Sequence, residues 1–308
     1  MQSRFVYVVG IAGVILLGVV SGWAIFHHQS APIVPMPVAT STLPTPSVTP
    51  TSTVSVIGHS VEGREIQAYT FGTGSRHVLF VGGMHGGYEW NAVVLAFDIV
   101  QYFMAHPEAV PSNLTVSIIP DINPDAVAKV ATTSRPISER DIVPIKDMVS
   151  ARFNAHGVDL NRNFDCHWQP TSSFLGKTTS AGTAPFSEPE TAALRAYVQQ
   201  FKPQAVAFWH SQAGEVYGAA CSGAITPADA TVMNTYANAA GYRTQAIFDA
   251  YTVHGDSESW LASIGIPAVT VELTTHNTVE YIKNLAGVQA LLAHIAATAS
   301  SSTASTTK

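Results

Sequence analysis

The chain has 308 residues, enough for one large α/β domain with appendages. Hydrophobic residues make up 46% and charged residues 12%, which excludes a disordered chain, because disorder needs low hydrophobicity and high charge. Fifteen Lys and Arg stand against 21 Asp and Glu, so no basic stripe offers itself to nucleic acid, and two cysteines cannot build a disulfide framework or a four-thiolate metal site.

Residues 1–5 carry Arg4, and residues 6–26 form one apolar run broken only by Ser21. As a helix this run would span roughly 31 Å, close to the thickness of a bilayer core. No Lys or Arg follows until Arg64. The positive-inside rule then predicts a signal-anchor with its N-terminus in the cytoplasm and everything after it outside. The competing reading is a cleaved signal peptide ending near Gly22-Trp23-Ala24, which would make the product secreted. Residues 27–55 are rich in Pro, Thr and Ser and lack charge, which predicts a semi-extended tether. A folded domain is expected over 56–296, with a Ser/Thr/Ala tail over 297–308 and no inhibitory segment between tether and domain.

Within the domain, Ile66–Phe71, His77–Val81 and Leu114–Ile119 read as strands, and Glu89–Met104 as a helix. Ser187-Glu188-Pro189-Glu190 reads as a capping box opening a helix to Phe201. Ala205–Trp209 and Pro267–Leu273 are apolar runs suited to buried strands, and Pro227–Ala240 and Thr278–Ala296 are helical. Strands alternating with helices predict a layered α/β domain, in which ligands sit where strands end.

Three such ends carry metal-binding residue types. His85 and Glu89 follow Val81, His210 follows Trp209, and Glu272 follows Val271. Two histidines, one carboxylate and an open position are the ligand set of a catalytic zinc, and a further carboxylate suits a general base. Singly, each residue has a bland reading as a surface histidine or a helix-end acid. Between them, residues 152–164 hold two arginines and three asparagines around Gly157. Arg presents a planar fork matched to a carboxylate, and Asn adds a donor, which is what recognition of a free carboxylate needs.

These residues resemble the zinc metallocarboxypeptidase family, the carboxypeptidase A-like peptidases. Gly157-Val158-Asp159-Leu160-Asn161-Arg162-Asn163-Phe164 resembles the family's carboxylate-binding motif. Asn123-Pro124-Asp125-Ala126, Ser187-Glu188-Pro189-Glu190, Phe208-Trp209-His210-Ser211 and Val269-Thr270-Val271-Glu272-Leu273 resemble further motifs in family order. The resemblance implies a three-layer α/β/α domain with a mixed, mostly buried central sheet. It implies one Zn2+ ion held by His85, Glu89 and His210, with Glu272 as general base and Arg152 stabilising the oxyanion. Asn161 and Arg162 would clamp the substrate's terminal carboxylate, Tyr251 would close over it, and Glu258 would face its side chain. One departure stands out: the family spacing is His-x-x-Glu, and here one more residue separates His85 from Glu89, a residue that Gly86-Gly87 is expected to absorb.

The expected activity is hydrolysis of the C-terminal peptide bond outside the membrane, with a basic side-chain preference if Glu258 faces the substrate and none if it faces solvent. A cell-wall peptide amidase cutting at diaminopimelate, a small-molecule deacylase of the same fold and a binding domain without metal are the alternatives. The partners expected are a peptide substrate and the membrane, with no protein partner. Cys166 and Cys221 either pair or remain as two buried thiols.

Overall fold

The computed structural model describes residues 52–133 and 135–303. The apolar run at 6–26, the tether up to residue 51 and residues 304–308 lie outside them. Among the described residues no helix is long and apolar enough to cross a membrane.

Strands β1 (Ser52–His59), β2 (Glu65–Phe71) and β3 (Arg76–Val81) lead into helix α1 (Trp90–Ala105), followed by β4 (Leu114–Ile119) and the single turn α2 (Pro124–Val127). A hairpin of β5 (Thr171–Phe174) and β6 (Lys177–Ser180) precedes α3 (Pro189–Phe201). Then come β7 (Ala205–Ser211), β8 (Glu215–Tyr217), α4 (Pro227–Ala240), β9 (Arg243–Gln245), α5 (Ser257–Ser263), β10 (Ala268–Leu273) and α6 (Tyr281–Thr303). Eight strands form one mixed sheet in the order β1-β2-β4-β3-β7-β10-β8-β9. Its centre, β4-β3-β7-β10, is parallel, and β2 and β8 run antiparallel to that centre on either side.

The central strands lack polar alternation because both faces are covered. Val78, Phe80, Trp209 and Val271 pack against α1, α4 and α6 on one face. Leu79, Val81, Phe208 and Ala268 pack against α3 and α5 on the other. This is the expected three-layer arrangement. Trp209 stacks on Phe80 at 5.4 Å and donates to Tyr236 Oη at 2.9 Å, so the largest core ring leaves no donor unpaired.

Three local expectations are corrected. Strand β1 takes in Ser52 to Ser55, expected to belong to the tether, and its backbone pairs with β2 from Ser52 onward. Composition hid this, since β1 is an exposed edge strand held mainly by its backbone. The N-cap of α3 is Glu188 rather than Ser187, and no capping box forms. The Ser187 hydroxyl is engaged by Asn163 and Glu188, while the Glu188 carboxylate takes Asn154 and His156. Finally, α6 continues to Thr303, past the predicted end at Ala296.

Candidate metal centre and substrate cleft

The parallel strands end side by side. In the β7–β10 pairing Glu272 lies opposite His210, and at the end of β3 Val81 lies opposite Phe208. Beyond β3 the chain makes a short 3-10 turn, Gly86–Glu89, that returns Glu89 toward His210. Gly86 adopts φ +48°, and a Cβ there would lie 2.3 Å from the Ala126 Cβ; one on Gly87 would lie 2.5 Å from Val130. Only glycines let this turn press against α2 with an extra residue between His85 and Glu89.

His85, Glu89 and His210 are buried, and their ligand atoms lie within 4.8 Å of one another. Glu89 Oε2 accepts from His210 Nδ1 at 3.1 Å and from the Ser211 N–H at 3.3 Å. Its other oxygen is 3.6 Å from Arg152. His85 Nδ1 and His210 Nε2 are both buried without a hydrogen-bond partner, which is costly. Burial, then Arg152 and His210, hold the His85 pKa well below its ordinary value, so this imidazole is a neutral donor. For His210 burial works in the same direction, but the Glu89 carboxylate outweighs it and the pKa rises. Two imidazoles and one carboxylate whose ligand atoms converge in a buried space fit a zinc ion.

Glu272 borders the same space, and its Oε2 is buried without a partner. Burial, and next the negative charge of Glu89, push its pKa well above the usual carboxylate range, which suits a group that takes up and gives back a proton. Arg152 is buried, donates from Nε to Asp159 Oδ2 at 3.0 Å, and lies 4.0 Å over the Phe174 ring.

Asn161 and Arg162 sit on the short turn Leu160–Arg162, both buried. Asn161 Oδ1 accepts from the N–H and the hydroxyl of Ser257, each at 3.0 Å, which turns its amide donors away from α5. Arg162 donates to its neighbour's carbonyl and to Ser172 Oγ at 3.1 Å. Gly255 joins this turn to α5: it accepts from Phe164 and donates to the Cys166 carbonyl, and a Cβ on it would fall 2.3 Å from the Arg162 carbonyl oxygen. Glu258 lies on the first turn of α5, half-buried, next to the N-cap Asp256, whose pKa is raised by burial and then by Glu258. Tyr251 is 48% exposed and packs edge-on against Phe248. All nine residues singled out in the sequence line one cleft of about 560 Å³.

The family profile of the zinc carboxypeptidases matches residues 47–285. The chain belongs to the zinc carboxypeptidase family. It is 27% identical over 158 residues to carboxypeptidase B of Astacus astacus, covering 49% of this chain and 50% of that one. It is 31% identical over 150 residues to carboxypeptidase O of Bos taurus, covering 44% and 40%. The chain thus spans about half the length of the first of these relatives and less of the second. Among solved structures, carboxypeptidase A from Helicoverpa armigera superposes with a TM-score of 0.60 at 20% identity, covering 80% of this chain and 69% of that one. The murein-tripeptide amidase from Escherichia coli O157 superposes with a TM-score of 0.54 at 21% identity, covering 78% and 91%. At these identities the structural likeness speaks to the fold.

Within this zinc carboxypeptidase cleft, sequence reasoning missed several residues. Asp159, buried, bonds to Arg152 and fixes its guanidinium, and lies 3.6 Å from His85 Nδ1. Its signal was a lone acid between Val158 and Leu160, two apolar neighbours. Two arginines, Arg152 and Arg162, outweigh its burial and keep its pKa low. Phe174, Tyr88 and His276 also line the cleft, and no local pattern marks them. Cys166 and Cys221 form a disulfide with Cα atoms 5.6 Å apart, which settles the choice between a pair and two thiols. Cys166, Cys221 and His167 also cluster, but the paired sulfurs offer no thiolate for a metal.

Proposed function

We propose that this chain is a zinc metallocarboxypeptidase that removes the C-terminal residue of peptides, with a preference for basic side chains. The observation that carries the reading is the convergence of His85, Glu89 and His210 beside a buried Asn161–Arg162 pair in a single cleft. Zinc bound by those three residues supplies a Lewis acid that polarises a carbonyl and lowers the pKa of water. Glu272 accepts a proton from the attacking water and returns it to the leaving amine. Arg152, held by Asp159, donates to the carbonyl oxygen as charge develops on it, a contribution of about 3–4 kcal/mol. Asn161 and Arg162 bind the terminal carboxylate, and substrates lacking it leave these buried donors unpaired. Tyr251, exposed at the rim, packs over the bound chain end.

Glu258 and Asp256 border the cleft next to the clamp, and Asp249 lines it too. These acids favour a Lys or Arg side chain. Diaminopimelate would also bring an amine to them, but its second carboxylate would meet the same acids, and the arginines lining the cleft are Arg152 and Arg162, both already assigned. Hydrolysis rates on peptides ending in Lys, Phe and diaminopimelate test this. The reading predicts that order of rates, and a faster release of diaminopimelate would replace it with the amidase. The extracytoplasmic, membrane-anchored placement is part of the same proposal, supported by a disulfide that persists in oxidising compartments.

A further inference from the structure

On one wall of the cleft three rings meet. Tyr88 packs edge-on against Phe174 at 5.5 Å and against His276 at 4.7 Å. Phe174 and His276 also make contacts on the metal side: Arg152 covers Phe174, and His276 reaches Ser211, the neighbour of His210. The carboxylate clamp bonds to Ser257 on α5 and to Ser172, two residues before Phe174 on β5. On the peptidase reading Arg152 and Ser211 border the scissile position, so the rings packed on them would flank the acyl side of a bound peptide.

The proton on His276 is fixed by a chain of bonds. Both N–H groups of Asn91 are taken by the carbonyls of Thr275 and Thr278, at 2.7 and 2.9 Å. Asn91 Oδ1 is thus an acceptor and receives the Ser211 hydroxyl at 3.0 Å. That uses the hydroxyl's one hydrogen, so His276 Nδ1, 2.7 Å from the same oxygen, must donate to it. A neutral ring then has no hydrogen on Nε2, and burial keeps the His276 pKa below its ordinary value. The half-buried ring lines the cleft, and among the described residues nothing bonds to Nε2. A peptide threaded past the metal shows alternating carbonyl acceptors and N–H donors. Arg152 faces the first kind, and a bare ring nitrogen complements the second.

We propose that Tyr88, Phe174 and His276 form an upstream subsite in which His276 Nε2 accepts a backbone N–H from the acyl side of the substrate. The proposal rests on the peptidase reading above. It is tested with the zinc-loaded protein and three peptides: a parent ending in Lys, and two analogues N-methylated at the first or the second amide nitrogen upstream of the scissile bond. The wild type should lose about 10-fold in kcat/KM on one of the analogues, the size expected for a single hydrogen bond. His276→Phe, which keeps a ring against Tyr88, should lose the same factor on the parent and become indifferent to methylation. His276→Gln, which restores an acceptor, should recover part of the preference. A His276→Phe enzyme that still prefers the parent 10-fold overturns the subsite. If neither variant folds, the wild type alone decides, and indifference to both methyl groups overturns it. If the wild type cleaves no peptide, the peptidase reading falls. Equilibrium binding of the same peptides then decides the subsite, with equal affinities for all three overturning it.

Discussion

His85, Glu89, His210 and Glu272 stand at or just past the ends of parallel strands covered on both faces, whereas Phe174, Tyr251 and Glu258 stand on a hairpin, a loop and a two-turn helix. The first group is held by a sheet whose register fixes Glu272 opposite His210. The second is held by single hydrogen bonds, a glycine contact and a disulfide. On the proposed function, bond-making chemistry would sit on the stiff half of the cleft and substrate choice on the half that tolerates change. A substitution in the stiff half should abolish turnover without altering preference, and one in the other half should alter preference and leave turnover on the best substrate largely in place.

The sharpest break of that comparison is Glu272→Gln, which should lower kcat by about 1,000-fold or more while zinc stays bound. Near-normal turnover by this variant would remove Glu272 from the chemistry. Next, reduction of Cys166–Cys221, which closes a loop 55 residues long, should cost about 4 kcal/mol of stability on loop-entropy grounds, read as a drop in denaturation midpoint. An unchanged midpoint after reduction would show that the loop half is held by packing alone. Arg162→Ala should lower kcat/KM by about 100-fold on free-acid peptides, nearly all of it in KM, and erase the preference for a free carboxylate over its amide.

The smallest effect lies away from the cleft and serves as a control for pH profiles. His77 is buried against Phe201 and bonded to Ser117, and burial lowers its pKa to about 4. Its unfolded value is about 6.5, so the unfolded chain takes up the proton first. The stability it contributes is present above about pH 6.5 and is lost as pH falls toward 4, by roughly 2 kcal/mol. Asp121 works the other way: burial raises its pKa to about 6, so its contribution is present at low pH and lost as pH rises through 6. The stability difference between the wild type and His77→Phe isolates the histidine, and it should shrink between pH 7 and pH 4.5.

The same division explains what the sequence revealed. β3, β7 and β10 were legible because buried parallel strands are continuous apolar runs, and the polar residue that ends each run stands out against them. Asn161 and Arg162 were legible because such a pair is unusual between apolar residues. β1 was not, because an edge strand holds by its backbone and carries the same Ser, Thr and Val as the tether. The capping box at Ser187 failed because tertiary partners, Asn163 on Ser187 and Asn154 on Glu190, claimed the side chains that a local rule assigns to the helix end. Tyr88, Phe174 and His276 come from three distant segments, and only the folded chain brings their rings together.

The most direct test of the account is the zinc content of the purified domain after dialysis, for the wild type and for His85→Ala, Glu89→Ala and His210→Ala. The account predicts one zinc per wild-type chain, lost from each of the three variants together with peptide hydrolysis. A wild type that holds no zinc, or a Glu89→Ala variant that keeps it at full occupancy and activity, would contradict it.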